Sequence, residues 1–373
     1  MTGGTPICTP LLPSQPPAGA IRPAEDLSTS QAGMLESVLG HFCEPDYELP
    51  GEKEPGLRDL EKFWLTRDCM LRYLRAVKWA SAQEAIQRLE GTLKWRREFE
   101  IYETTADDIE PESVTGKMII YGYDTARRPA LYLLPSRQNT KEAQHQIQFT
   151  VWMLERTLDL TGPGVETLSL MINFADRAKS PSFSTARAVL NILQTHYPER
   201  LGHALILNVP FLLNAFFKLI TPLVDPHTRV KMKFNPRAVK DGLFDAEQLL
   251  SESGWGGAVD FRWDHAKYWP ALLKLCAETR ERYMERWRKL GAKVGASEWD
   301  IKFEPLVAPS DETVSVKVVE QPAPVAETEQ VDIAVPGPGM TEIAGPAAME
   351  GAADTLTVPL AVAGAVPKVA GQA

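Results

Sequence analysis

The stretch Thr195–Phe234, THYPERLGHALILNVPFLLNAFFKLITPLVDPHTRVKMKF, decides the fold. It opens on a charged turn at Pro198, Glu199 and Arg200, continues as a buried-type strand from Ala204 to Val209, and then turns almost wholly apolar. Pro210 marks a helix start, because its fixed φ is already helical and its missing N–H would have gone unpaired in a first turn. From Phe211 to Val224 the only strongly polar side chains before Thr221 are Asn214 and Lys218, which share one narrow stripe. As a helix these residues would span roughly 21 Å, short of the roughly 30 Å hydrocarbon core of a bilayer. Such a helix is either buried in a core or a lid over an apolar cavity that also rests on a bilayer surface. The charged turns on either side favour the lid.

Working outward, Thr167 to Phe174 is a continuous apolar strand of the kind covered by helices on both faces. Thr185 to His196 is the helix after it, and Glu142 to Leu160 the helix before it, with Ile147, Val151, Leu154 and Leu158 on one face. Lys117 to Asp124 and Pro129 to Leu134 make a hairpin through Thr125, Ala126 and Arg127. Further upstream Leu65, Met70, Leu71, Leu74 and Val77, then Ile86, Leu89, Leu93 and Phe99, recur at helical spacing, with Ser81 and Glu84 as a capping box between them. Downstream come a short helix from Asp245 to Ser251, a turn at Gly254, Gly256 and Gly257 that lacks the phosphate-loop pattern, and a long helix from Tyr268 to Leu290. Strands alternating with helices predict an α/β fold: a mostly parallel sheet flanked by helices, preceded by an N-terminal helical module. The basic residues of that module, Arg67, Arg72, Arg75, Lys78, Arg88, Lys94, Arg96 and Arg97, interleave with acids and bring no base-reading motif, so they predict a solvated face and no nucleic-acid partner.

Composition divides the 373 residues unevenly. Residues 1–56 carry eight acidic and two basic side chains, and residues 302–373 carry ten and three, which leaves residues 57–301 at +4 within a formal net charge of −9. Both ends are crowded with small residues and proline and are expected to be disordered, because they cannot bury enough surface to offset chain entropy. No positively charged start followed by an apolar run of 7 to 15 residues and no run of 18 apolar residues occurs, so neither secretion nor membrane spanning is expected. Cys8, Cys43, Cys69 and Cys276 show no CxxC spacing, which fits reduced thiols in a cytoplasmic protein. No GxSxG elbow, HExxH pair or other metal spacing occurs, and His196 and His203 read as ordinary packing or surface histidines rather than a ligand pair. The expectation is a protein with no enzymatic activity, no metal and no cofactor.

HYPERLG, the strand ending NVP and FKLITPLVDPHT, together with LRYLRAVKW, WRREFEI, SVTGKMIIYGYD, SRQNTK, MLERTLDL and YWPALL, resemble the CRAL-TRIO lipid-binding and lipid-transfer family between Leu65 and Gly295. Within that family the chain looks like the fungal phosphatidylinositol-transfer homologues associated with pleiotropic drug resistance. The resemblance implies a helical module over 57–108, a lipid-binding domain over 109–262 whose lid closes a lipid cavity, and a C-terminal helix over 263–301 packed on the body. It also implies a monomer that docks transiently on cytosolic membrane faces, of the endoplasmic reticulum, lipid droplets, endosomes or plasma membrane.

Glu199 and Lys231 sit on opposite sides of the apolar strand and lid. A carboxylate accepts from inositol hydroxyls and an ammonium matches a phosphodiester, so the pair suits phosphatidylinositol; a structural salt bridge is the other account. The resemblance favours the first, since both match the family's head-group residues, with Thr228 and Asp124 at its supporting positions. Phe211, Phe216, Phe217, Leu219 and Ile220 would then face lipid or bilayer. Two departures stand out. Val77 replaces the third arginine of the family's LRFLRAR motif, and Leu168 and Leu170 stand where the family holds phosphatidylcholine phosphate with Ser and Thr. Leucine cannot donate, and a phosphate buried beside it would lack partners at a cost of several kcal/mol. Weak choline-lipid exchange follows, with a sterol or similar apolar molecule as second ligand. Other readings are a scaffold presenting phosphatidylinositol to a lipid kinase, and a plain sterol carrier.

Overall fold

A computed structural model describes residues 6–13, 16, 20–22, 26–175, 183–209 and 229–303. Contacts separate residues 1–308 from 309–373, and the second unit lies outside the described residues. So does the expected lid, with Phe211, Phe216, Phe217, Leu219, Ile220 and Thr228.

The helical module is larger than the sequence periodicity indicates. Helices α2 (Asp59–Trp64), α3 (Arg67–Ala76) and α4 (Ala82–Glu98) fall within the expected region, and Ser81 accepts the Glu84 N–H at the start of α4. A further helix, α1 (Thr29–Phe42), lies inside the segment 1–56 that composition marks as a tail. It begins with a true capping box, Ser28 and Gln31, and drives Leu35, Val38 and Phe42 against Met70, Leu74, Leu89 and Leu93. Those three residues recur at helical spacing and carry apolar area worth about 1.5–3 kcal/mol each when buried, which outweighs the polar average of the segment.

Five strands form one sheet in the order β1 (Met118–Tyr123), β2 (Pro129–Leu133), β3 (Leu168–Asn173), β4 (Leu201–Leu207) and β5 (Met232–Phe234). Only β1 and β2 are antiparallel, as the hairpin pattern requires, while the remaining pairs are parallel. Helix α5 (Ala106–Ser113) precedes the sheet, and α6 (Ala143–Asp159) and α7 (Phe183–His196) supply the crossovers. The long α8 (His265–Lys289) buries Tyr268, Trp269 and Leu272 in the main core, and the short α9 (Glu298–Lys302) follows it.

The register of β1 shifts between Ile120 and Tyr123, and β1 is the edge strand, so the Ile120 N–H and carbonyl that face away from β2 have no strand beside them. The Tyr268 hydroxyl fills both places, accepting from the Ile120 N–H at 2.6 Å and donating to its carbonyl at 2.9 Å. Gly122 completes the irregularity at φ 72°, where a Cβ would collide with the Gln248 carbonyl. Among the described residues no helix is long and apolar enough to cross a membrane.

Candidate functional site

One face of the sheet is apolar. Strand side chains alternate, so the parallel registers put Leu168, Leu170, Ile172, Ala204, Ile206, Met232 and Phe234 on one side. Leu168 is buried against Val151, Leu154 and Tyr197, and Ile206 against Phe174. On this face Ala204 and Ile206 of β4 are buried, Leu170 and Ile172 of β3 and Met232 of β5 are half-buried, and Phe234 is 49% exposed. The one hydroxyl on β3, Ser169, points to the opposite face and donates to Asp124 at 2.7 Å.

A polar rim closes the start of this face. The turn before β4 is fixed to β3 by the Leu168 N–H, which donates to the Arg200 carbonyl at 2.9 Å. Glu199 sits in it at φ 56°, a left-handed conformation that costs a non-glycine residue about 1–2 kcal/mol. Lys231, just before β5, donates its Nζ to the Leu201 carbonyl at 2.7 Å. Lys231 therefore reaches the backbone two residues beyond Glu199, the other residue expected at the head group. They are not ion partners of each other, since Glu199 accepts from Nε of Arg75 on α3.

Asp124 has a different placement from the one expected. Its Oδ1 accepts the N–H groups of Ala126 and Arg128, each at 2.9 Å, and its Oδ2 accepts from Ser169 and lies 3.5 Å from Nη1 of Arg128. A carboxylate only 5% exposed, held by Ala126, Arg128 and Ser169, closes the β1–β2 turn. Asp124 and Lys231 do share a neighbour in His203, whose pKa is lowered by burial and by Arg128, Lys233 and Lys231, against the pull of Asp124.

The basic residues of the module are mostly not a solvated face. Arg72 is 2% exposed and bonds Glu166 at 2.9 Å and Glu298 at 2.5 Å. Arg75 reaches the same Glu166 oxygen at 3.0 Å, and Arg200 donates to the Glu166 carbonyl at 2.9 Å. Burial alone would raise the pKa of Glu166, but Arg72 and Arg75 outweigh it and hold the carboxyl below the usual range. Glu298, which also meets Lys302 at 2.9 Å, is held well below that range in the same way. Arg96 makes a two-pronged pair with Glu155 at 2.8 and 3.1 Å, and Arg97 pairs with the fully buried Glu61. His196 stacks on Trp95 with centroids 4.1 Å apart, a packing role as its sequence context indicates. A cavity of about 110 Å³ between module and body is lined by Arg72, Arg96, Glu155 and Glu298 together with apolar residues such as Phe63 and Leu158, and is too small for two acyl chains.

Sequence reasoning missed Arg75 and Glu166 as neighbours of the Glu199 turn. The available signal was the repeat of arginine at Arg72 and Arg75 in LRYLRA, a spacing that puts both on one side of α3.

A helical module, a mostly parallel sheet with an apolar face and a charged turn at its rim define an α/β domain of a recognised type. The family model for the CRAL/TRIO domain matches residues 113–256, and that for the CRAL/TRIO N-terminal domain matches residues 34–91, a start that takes in part of α1. A CRAL-TRIO domain-containing protein of Schizosaccharomyces pombe is 47% identical over 283 residues, 74% of this chain but 28% of the relative's own length. The phosphatidylinositol transfer protein PDR17 of Saccharomyces cerevisiae is 36% identical over 302 residues, covering 74% of this chain and 85% of the relative. A solved structure entitled "Crystal structure of Sfh5" superposes with a TM-score of 0.49 at 18% identity, over 69% of this chain and 100% of that one. The chain belongs to the CRAL-TRIO family.

Proposed function

We propose that this chain binds phosphatidylinositol and carries it between membranes at their cytosolic faces, working as a monomer and without enzymatic chemistry. One observation carries the proposal: an apolar sheet face of Leu170, Ile172, Ile206 and Met232 lies beside the start of β4, where Lys231 reaches the Leu201 carbonyl two residues beyond Glu199. Removing acyl chains from water onto such a face contributes about 25 cal/mol per Å², so a shielded diacyl lipid keeps most of what the bilayer gave it. The carboxylate accepts inositol hydroxyls and the ammonium answers the phosphodiester. Identity to a relative named as a phosphatidylinositol transfer protein, over most of that relative's length, supports the same substrate.

The second ligand is an apolar molecule such as a sterol rather than phosphatidylcholine. The orientation of Ser169 favours this, because Leu168, Leu170 and Ile172 then give the apolar side of β3 no hydroxyl with which to hold a choline phosphate. Transfer of labelled phosphatidylinositol between two liposome populations tests the proposal. A carrier moves it far faster than the spontaneous rate and leaves phosphatidylcholine behind. A rate indistinguishable from the protein-free control would instead fit a scaffold that presents the lipid to a kinase.

A further inference from the structure

The family's third arginine is Val77 here, which ends α3 as its C-cap and contributes no charge. Yet α3 still delivers a cation to the head-group turn. Arg75 donates through Nε to Glu199 Oε2 and through Nη2 to Glu166 Oε2 at 3.0 Å, so one planar guanidinium links two carboxylates. Glu166 is itself anchored by the buried Arg72, which leaves Arg75 little freedom to swing away. Among the described residues the other Glu199 oxygen, Oε1, accepts no hydrogen bond. Glu199 is about one-third exposed, so a solvated ligand can reach that oxygen.

We propose that Arg75 is a positioning residue for the head-group site, pinning one oxygen of Glu199 so that the other is held out to the inositol hydroxyls. This rests on the phosphatidylinositol reading above and adds to it the residue that aims the carboxylate. A glutamate side chain left to itself samples many rotamers and pays ordering entropy when a ligand arrives, whereas a pinned one has paid it in advance. Lysine cannot substitute, because a single ammonium on a flexible stem does not hold both Glu166 and Glu199 in one plane. The pinned geometry suits a ring that offers several hydroxyl donors and does nothing for a sterol or a choline lipid.

The test uses the full chain and phosphatidylinositol-containing liposomes, with bound lipid counted by mass spectrometry across a titration and a sterol titration run in parallel. Arg75→Ala is expected to weaken phosphatidylinositol uptake roughly tenfold or more, the loss of a charge-assisted contact, while sterol uptake stays within about twofold. Glu199→Gln should cost a similar factor, and the double variant should be no worse than either single one, since aiming an absent carboxylate gains nothing. Arg75→Lys should recover less than half of the lost affinity. Where Arg75→Ala melts early, the Arg75→Lys and Glu199→Gln pair carries the same cycle. Unchanged phosphatidylinositol uptake in Arg75→Ala, losses that multiply in the double variant, or equal losses for both ligands overturn the inference while leaving the proposed function standing. A wild-type chain that takes up no phosphatidylinositol at all overturns both.

Discussion

Lys231 reaches the Leu201 carbonyl at 2.7 Å, and Leu201 lies two positions beyond Glu199, so strand β5 brings the cation to the turn that carries the acid. That convergence of residues 32 apart in sequence is what the parallel pairing of β4 with β5 achieves. Lys231→Ala is expected to lower phosphatidylinositol affinity by roughly tenfold to a hundredfold, the range for losing a hydrogen bond to a charged group. Sterol loading should be unchanged. A lipid-loading titration of the variant beside wild type checks both.

The Arg72 guanidinium, 2% exposed, binds carboxylates from two distant segments, Glu166 and Glu298. Removing one side of a buried network leaves uncompensated charge, so Arg72→Ala should destabilise the protein by about 3–5 kcal/mol. Denaturant unfolding followed by circular dichroism measures it. An effect within about 0.5 kcal/mol, the size of an exposed pair, would show that the network is not structural.

Glu155 and His196 make stability fall in acid in two successive windows. Burial together with Arg88 and Arg96 lowers the His196 pKa to about 4. The unfolded chain then binds a proton that the folded one refuses, so stability declines as pH falls from about 6.5 to about 4. Burial opposes ionisation of Glu155, but Arg96 outweighs it and brings the pKa down to about 2. The stability contributed by that carboxylate is complete above its unfolded value near 4.5 and is lost as pH falls toward 2. Thermal midpoints for wild type and His196→Gln should converge as pH drops through the first window.

Phe42 is 2% exposed at the end of α1. Phe42→Ala should cost about 3–5 kcal/mol through the cavity it leaves, and deletion of residues 1–44 should destabilise the helical module further. Chemical denaturation of both variants tests the claim that this segment is part of the folded body.

Periodicity carried most of the fold. Apolar runs at residues 168–174 and 204–209, the hairpin around Thr125, and the helical spacing of Leu65 to Phe99 all became the expected elements because local pattern and tertiary environment agree there. Helix α1 escaped for the opposite reason: its three core residues sit in a stretch whose average composition is polar and rich in small residues, and averaging hid them. The arginines of α3 and α4 looked like a solvated face because their partners, Glu166, Glu155 and Glu298, lie 59 to 226 residues away, and no local window contains both members of a pair. The motif around Glu199 and Lys231 was legible in the sequence, but the hydrogen bonding of Asp124 was not. Its hydrogen bonds to Ala126, Arg128 and Ser169 depend on the turn and on the strand beyond it.

Native mass spectrometry of the purified wild-type chain beside Lys231→Ala tests the central claim most directly. Wild type should carry a mass matching one diacyl phosphatidylinositol, and the variant should have lost it while keeping its fold. A wild-type chain that emerges empty, or loaded with phosphatidylcholine, would contradict the account.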